Sequence, residues 1–367
     1  MKIGIILGTR PEIIKLSSVI RACRAHKLRY FIIHTNQHYS VNMDAVFFAE
    51  LGLPSPRYHL EIAAKKHGEM VGRQLEAIEK ILIKEKPTWV LVQGDTNTVM
   101  AGALAATKLG IKVGHVEAGL RSYDRTMPEE INRVVTDHVS DMLFAVGKRQ
   151  EDILLGEGID QKKILVTGNT IVDAVWQNLL VAEEEGVLRD LRNGYDPYER
   201  GWILLTTHRP SNVDSKHNLT TIINAATAIS RQQGLPVIFP VHPRTQESLE
   251  ELGIEVDYEG IIMVSPVGYL EMLSLIKAAK LIMTDSGGIQ EEACILGVPS
   301  ITLRENTERP ETIEVGANIL VGGSDEKRII EGAEKILAAP RGWKNPFGDG
   351  RSGERIVSSI NSRKSIR

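Results

Sequence analysis

Short apolar runs rich in β-branched residues alternate along this chain with longer segments whose apolar positions recur every three to five residues. The runs of the first half are IGIIL at 3 to 7, YFIIHT at 30 to 35, WVLVQG at 89 to 94, KVGHVE at 112 to 117 and KILVTG at 163 to 168. Between them, Met70, Leu75, Ile78 and Leu82 mark one helix, and Val99, Ala103, Ala106 and Leu109 mark another. Strand and helix in this alternation predict a parallel sheet whose faces the helices cover.

From about residue 200 the rhythm restarts, with WILLTT at 202 to 207, PVIFPV at 236 to 241, GIIMVS at 260 to 265, KLIMTD at 280 to 285 and PSITL at 299 to 303. Two sheets are expected, in two doubly wound, Rossmann-like α/β domains. The length of 367 residues suits two cores better than one. RDLRNGYDPYERG at 189 to 201 reads as a surface segment, while the hinge is expected near Gly168 to Thr170. The domain limits drawn are thus 1 to 168 and 169 to 352, and two domains imply a cleft. NPFGDGRSGERI at 345 to 356 is a turn-rich break before a polar terminal helix.

Composition narrows the class. With 42% hydrophobic and 25% charged residues the chain is ordinary for a globular protein, and a formal net charge of -3 gives no reason to expect nucleic acid or an anionic membrane as partner. The apolar run behind Met1 and Lys2 is too short for a signal-peptide core or a membrane span. Cys23 and Cys294 are the two cysteines, without CxxC spacing, so a disulfide framework and a thiolate metal site are disfavoured and a reducing cytoplasm fits.

In open parallel sheets, ligands bind beyond the carboxyl ends of the strands, where helix N-termini aim backbone N–H groups outward. The unusual residues fall there: Arg10, Asp95, Glu117, His208, His242 and the segment Ser286, Gly287, Gly288. TDSGGIQEEA at 284 to 293 has the form of an anion cradle, with Glu292 one turn inside the helix able to accept from ribose hydroxyls; an ordinary strand-to-helix turn is the alternative. Arg304 and Arg309 lie one βα unit further on, where an arginine can reach the same phosphates. No G-x-G-x-x-G follows a predicted strand, and there is no Walker pattern, HExxH, DxD pair or G-x-S-x-G. Neither a cofactor nor a metal is expected.

Carboxylates near a phosphate site repel it, so those that face the ligand should contact a sugar or move protons. Asp95 could instead cap the helix starting near Thr96. Glu130 reads as a first-turn surface residue, and Glu129 could pair with Arg133. Glu117, between KVGHV and AGL, has the weakest structural explanation. His208 precedes Arg209 and Pro210 at a strand end; His242 could merely shape its turn, and His115, inside an apolar strand, reads as structural.

Together GTRPEIIK at 8 to 15, QGDTNT at 93 to 98, GHVEAGLRS at 114 to 122, PEEINR at 128 to 133, GNTIVDA at 168 to 174, THRPSN at 207 to 212, PVHPR at 240 to 244, TDSGGIQEEA and TERPE closely resemble the non-hydrolysing UDP-N-acetylglucosamine 2-epimerases, in order and over nearly the whole chain. The resemblance implies a glycosyltransferase-B-like fold with the active site in the cleft between the domains, and a terminal helix, here 353 to 367, that crosses back onto the first domain. It places Arg10, Lys15, His242, Ser286, Gly287, Gly288, Glu292 and Arg309 around UDP, and Asp95, Glu117, Glu129 and His208 around the sugar, as catalytic candidates. It implies reversible conversion of UDP-N-acetylglucosamine to UDP-N-acetylmannosamine through loss of UDP to 2-acetamidoglucal and its return. A homodimer is the expected assembly.

Two motifs depart from the bacterial pattern. QHR is here Gln37, His38, Tyr39, and HRRE is His208, Arg209, Pro210, Ser211. The bacterial motifs help form a second, activating substrate site, whose loss or redesign is expected. The rivals are a hydrolysing 2-epimerase, a glycosyltransferase of the same fold, and a sugar-nucleotide-binding regulator without turnover.

Overall fold

The computed structural model describes residues 1–36, 47–62, 66–187, 201–257 and 260–362. The altered motif at 37 to 40, the surface segment up to residue 200 and the last five residues of the expected terminal helix lie outside the described residues. Two compact units are present: Met1–Gln177 with Phe347–Arg367, and Asn178–Pro346.

The first unit holds a parallel sheet of seven strands in the order β3-β2-β1-β4-β5-β6-β7. These are β1 (Lys2–Leu7), β2 (Arg29–His34), β3 (Tyr58–His59), β4 (Trp89–Gln93), β5 (Lys112–Ala118), β6 (Met142–Ala145) and β7 (Ile164–Val166). Ile3, Ile5, Ile6, Leu7, Val90, Leu91 and Val92 are wholly buried, as strands covered on both faces require. The helices read from spacing run over His67–Glu85 and Asn97–Lys108. Strand order reverses between β1 and β4, so the turns after those strands flank the point where such sheets bind ligands.

The second unit repeats the plan with six parallel strands in the order β10-β9-β8-β11-β12-β13. They are β8 (Trp202–Thr206), β9 (Val237–Pro240), β10 (Ile261–Val264), β11 (Ala279–Thr284), β12 (Ser300–Thr302) and β13 (Asn318–Leu320). Here the reversal falls between β8 and β11, whose register pairs Thr206 with Thr284. Strands β3, β6 and β13 were not marked by the sequence pattern.

The terminal helix, Ser352–Ser362, belongs to the first unit. Ile356, Val357 and Ile360 are its buried stripe, and Gly353 lies against the backbone of Ser18 in the helix Arg10–Ala25 so closely that a Cβ would sit 2.8 Å from the Ser18 carbonyl carbon and oxygen. The Asp173 carboxylate caps it from far away in sequence, accepting from the N–H groups of Ser352 at 3.1 Å and Gly353 at 2.9 Å. Those bonds also explain why the units divide at 177 and 346 rather than at the expected 168 and 352. The helix Thr170–Glu184 begins on the first unit, where the Asn169 N–H donates to the Phe347 carbonyl at 2.8 Å.

Candidate functional site

Each unit gathers its own group of site candidates. In the first, β1 runs through Gly8 and Thr9 into the helix Arg10–Ala25, with Thr9 as N-cap. The turn is closed by Glu12, a residue the sequence reading did not single out. Its buried carboxyl accepts from the Gly8 and Thr9 N–H groups and bonds the Thr96 hydroxyl, which ties the loop after β1 to the loop after β4. Burial raises the Glu12 pKa from 4.5 to about 7, against the opposing pull of those hydrogen bonds.

The folded protein thus keeps this proton in a pH range where the unfolded chain has released it. The stability it gives is complete below pH 4.5 and is lost as the pH rises through about 7. Glu12→Gln, whose amide mimics the protonated acid, is expected to match the parent at low pH and to exceed it by on the order of 1–3 kcal/mol at alkaline pH. Denaturant unfolding on both sides of the window checks this. A stability difference that does not change with pH would overturn it.

Arg10 stands in the first turn of that helix, its guanidinium 5.6 Å from the centre of the Phe47 ring. Lys15 is buried further along, and its Nζ lies 2.7 Å from both carboxylate oxygens of Glu117. The resemblance implies a place for Lys15 beside the nucleotide, and its bond to Glu117 leaves that expectation standing. Glu117 also accepts from the Gln93 side-chain amide at the end of β4. Its φ of 69° is left-handed, at a break in the register between β5 and β6. A non-glycine residue rarely adopts this conformation, and such strain persists only where the surroundings enforce it.

Asp95 is not the helix cap. Thr96 takes that place, its hydroxyl accepting from the Val99 N–H at 3.4 Å. The Asp95 carboxylate instead pairs with Arg133, and its carbonyl accepts from the Asn132 amide at 2.9 Å. Glu129 and Glu130 exchange the expected places. Glu130 is buried, accepts from the Ser122 and Tyr123 N–H groups and pairs with Arg133 at 2.9 Å, whereas Glu129 is exposed. Helical geometry is the reason: the position three before Arg133 faces inward over the loop at 122 to 123. His115 is buried between Asp137 and the Gly94 carbonyl, at 2.6 and 2.8 Å.

In the second unit, the reversal point carries His208 behind β8 and Asp285 behind β11. Asp285 is fully buried and collects donors: the Thr207 hydroxyl at 2.7 Å, the His208 and Arg209 N–H groups at 3.1 and 3.0 Å, and the Asn212 amide at 3.1 Å. Its other oxygen lies 3.1 Å from His208 Nδ1. These donors hold its pKa below the usual carboxylate value against the opposing effect of burial. Asp285 escaped the sequence reading, although the Thr206–Thr284 pairing would have put it beside His208.

His242 is the N-cap of the helix Pro243–Glu251, its Nδ1 accepting from the Arg244 N–H at 3.2 Å, and its ring centre lies 5.8 Å from that of His208. Ser286 caps the helix Gly287–Leu296 with no side-chain hydrogen bond of its own. A Cβ on Gly287 or Gly288 would meet nothing closer than 3.6 Å, so the protein itself does not demand their smallness. Glu292 is buried on that helix. Arg309 pairs with Glu291 at 2.7 Å, and Arg304 with Glu308 at 2.8 Å.

The family model described as UDP-N-acetylglucosamine 2-epimerase matches residues 21–361. A UDP-N-acetylglucosamine 2-epimerase of Methanocaldococcus jannaschii is 57% identical over 97% of this chain and 98% of its own length. A crystal structure of the enzyme from that organism superposes with a TM-score of 0.89 at 54% identity, covering 99% of this chain and all of the other. Another, in complex with UDP-GlcNAc and UDP, gives 0.84 at 55% identity and the same coverage. The fold is thereby glycosyltransferase-B-like. Full-length identity above one half, together with the family model over residues 21–361, makes this chain a member of the UDP-N-acetylglucosamine 2-epimerase family.

Proposed function

We propose that this chain interconverts UDP-N-acetylglucosamine and UDP-N-acetylmannosamine without releasing the sugar, by elimination and re-addition of UDP. The C2 proton is not adjacent to a carbonyl, so its removal needs an electron sink. Breaking the C1–O bond supplies one: the C2–H electrons form the C1–C2 double bond of 2-acetamidoglucal, UDP takes the C1–O electrons, and a carboxylate takes the proton. Protonation of C2 from the opposite face, with attack of UDP oxygen at C1, completes the exchange.

The observation that carries this reading is Glu117, a buried carboxylate in a strained backbone conformation with Lys15 2.7 Å away. Asp95 is the second proton-handling group, with Glu129 and His208 assisting. Arg10, His242, Ser286, Gly287, Gly288, Glu292 and Arg309 are assigned to UDP. Support for the cradle comes from the open space over both glycines at a helix N-terminus. The relative bound to UDP-GlcNAc and UDP supports the choice of substrate.

Cytoplasmic residence is in keeping with two buried free cysteines. No described helix is long and apolar enough to cross a membrane. Assembly as a homodimer is supported by Tyr123, Met127 and Ile131, apolar side chains that the first unit leaves exposed.

The test is turnover of UDP-N-acetylglucosamine in deuterium oxide, followed by NMR. Deuterium at C2 of both epimers is expected. Epimerisation with the original hydrogen retained would overturn the exchange mechanism, and free N-acetylmannosamine with UDP would establish the hydrolysing reaction instead.

A further inference from the structure

The two histidines of the second unit are held in opposite ways. Asp285 is a carboxylate and can only accept, so the His208 nitrogen 3.1 Å from it, Nδ1, must carry the hydrogen. His242 Nδ1 receives the Arg244 N–H at 3.2 Å, so it must present a lone pair, and the ring hydrogen of neutral His242 is on Nε2. We propose that Asp285 is a positioning residue that fixes His208 as the Nδ1–H tautomer, so that His208 offers the sugar nucleotide an accepting Nε2 while His242 offers a donating Nε2–H.

An acceptor and a donor with ring centres 5.8 Å apart suit the two ends of one ligand region. The acceptor can take a proton or a sugar hydroxyl; the donor can hold a diphosphate oxygen. Burial, helped by the charge of Arg244, lowers the His242 pKa and favours the neutral form this division needs. The ligand named here rests on the proposed function, but the tautomers do not.

Asp285→Asn gives a sharp test because the surrounding donors dictate how the amide must sit. Three of them, from Thr207, Arg209 and Asn212, converge on Oδ2 at 2.7, 3.0 and 3.1 Å. The amide oxygen must take that position, which turns the NH2 group toward His208 Nδ1 and forces the imidazole into the other tautomer. The expected result follows the logic of a histidine oriented by a buried aspartate.

The experiment is long-range 1H–15N NMR of the 367-residue, 15N-histidine-labelled protein at about pH 8, above the ordinary imidazole range, with turnover measured alongside. The wild-type protein should show His208 protonated at Nδ1 and His242 at Nε2. Asp285→Asn should invert His208 alone and lower kcat roughly tenfold or more, with KM within about threefold. Wild-type His208 found as the Nε2–H tautomer overturns the proposal whether or not the variant folds. So does an unchanged tautomer in the variant, or a loss confined to KM, which would mean that Asp285 merely holds the loop. Because the NMR needs no turnover, its failure is distinguishable from failure of the epimerase reading.

Discussion

Glu117→Gln is expected to lower kcat for epimerisation by about 10²–10⁴-fold, the range for loss of a general acid or base, while UDP affinity stays within about threefold. The substitution preserves shape but removes the charge facing Lys15, whose Nζ is 2.7 Å from both carboxylate oxygens. Breaking a buried pair from one side costs about 3–5 kcal/mol, so the variant should also unfold at lower denaturant. The double variant Lys15→Met, Glu117→Gln separates the two effects. Removing both charges should restore most of the stability and none of the turnover. If activity returned with stability, Glu117 would be structural and the proton-transfer reading would fail.

Gly353→Val should be the most damaging substitution outside the candidate site. A side chain there must displace the backbone of Ser18, which a Cβ would approach to 2.8 Å, and backbone cannot rotate aside. The expected cost is about 3 kcal/mol or more, through loss of the helix Ser352–Ser362 from its seat. Hydrogen exchange should show early opening at 352 to 362 and in the helix Arg10–Ala25 together. Gly156→Ala is the control: a Cβ there would meet nothing within 4 Å, so stability should hold or rise slightly. Equal behaviour of the two variants would show that the close approach carries no weight.

How much of this was legible depends on the length over which a pattern repeats. Strands such as β1 and β8, six and five residues long and largely apolar, were readable, and the three-residue β7 and β12 were read within the longer runs KILVTG and PSITL, while β3 and β13 were not. The terminal helix was legible as a helix, but its return to the first domain was reached by family resemblance alone and its seat on Ser18 not at all, because a glycine in sequence does not say which backbone it touches. The candidate residues show the same division. Strand ends located Asp95, Glu117, His208 and His242, since one rule of parallel sheets places them. Their partners, Lys15 on Glu117, Arg133 on Asp95 and Asp285 on His208, are fixed by pairs 102, 38 and 77 residues apart in sequence. Glu12 was hidden differently. As the third residue of a helix it has the look of an exposed first-turn acid, and its burial comes from Thr96 on a neighbouring loop.

The first unit is built from two stretches that flank the second in sequence, and this gives its biosynthesis an order. The helix Arg10–Ala25 is made before the second unit; the helix that covers it, Ser352–Ser362, is made only after the whole of that unit. At about 5–20 residues per second, the intervening stretch from Asn178 to Pro346 takes roughly 10–30 s to translate. During that time the surface around Ser18 lacks its final cover, while the second unit, continuous in sequence, can fold as it emerges. Nascent chains should therefore mature out of sequence order, inserted unit first and enclosing unit last. A circular permutant that opens the chain at Pro346–Phe347 and joins the native termini would place Ser352–Ser362 at the start and remove the wait.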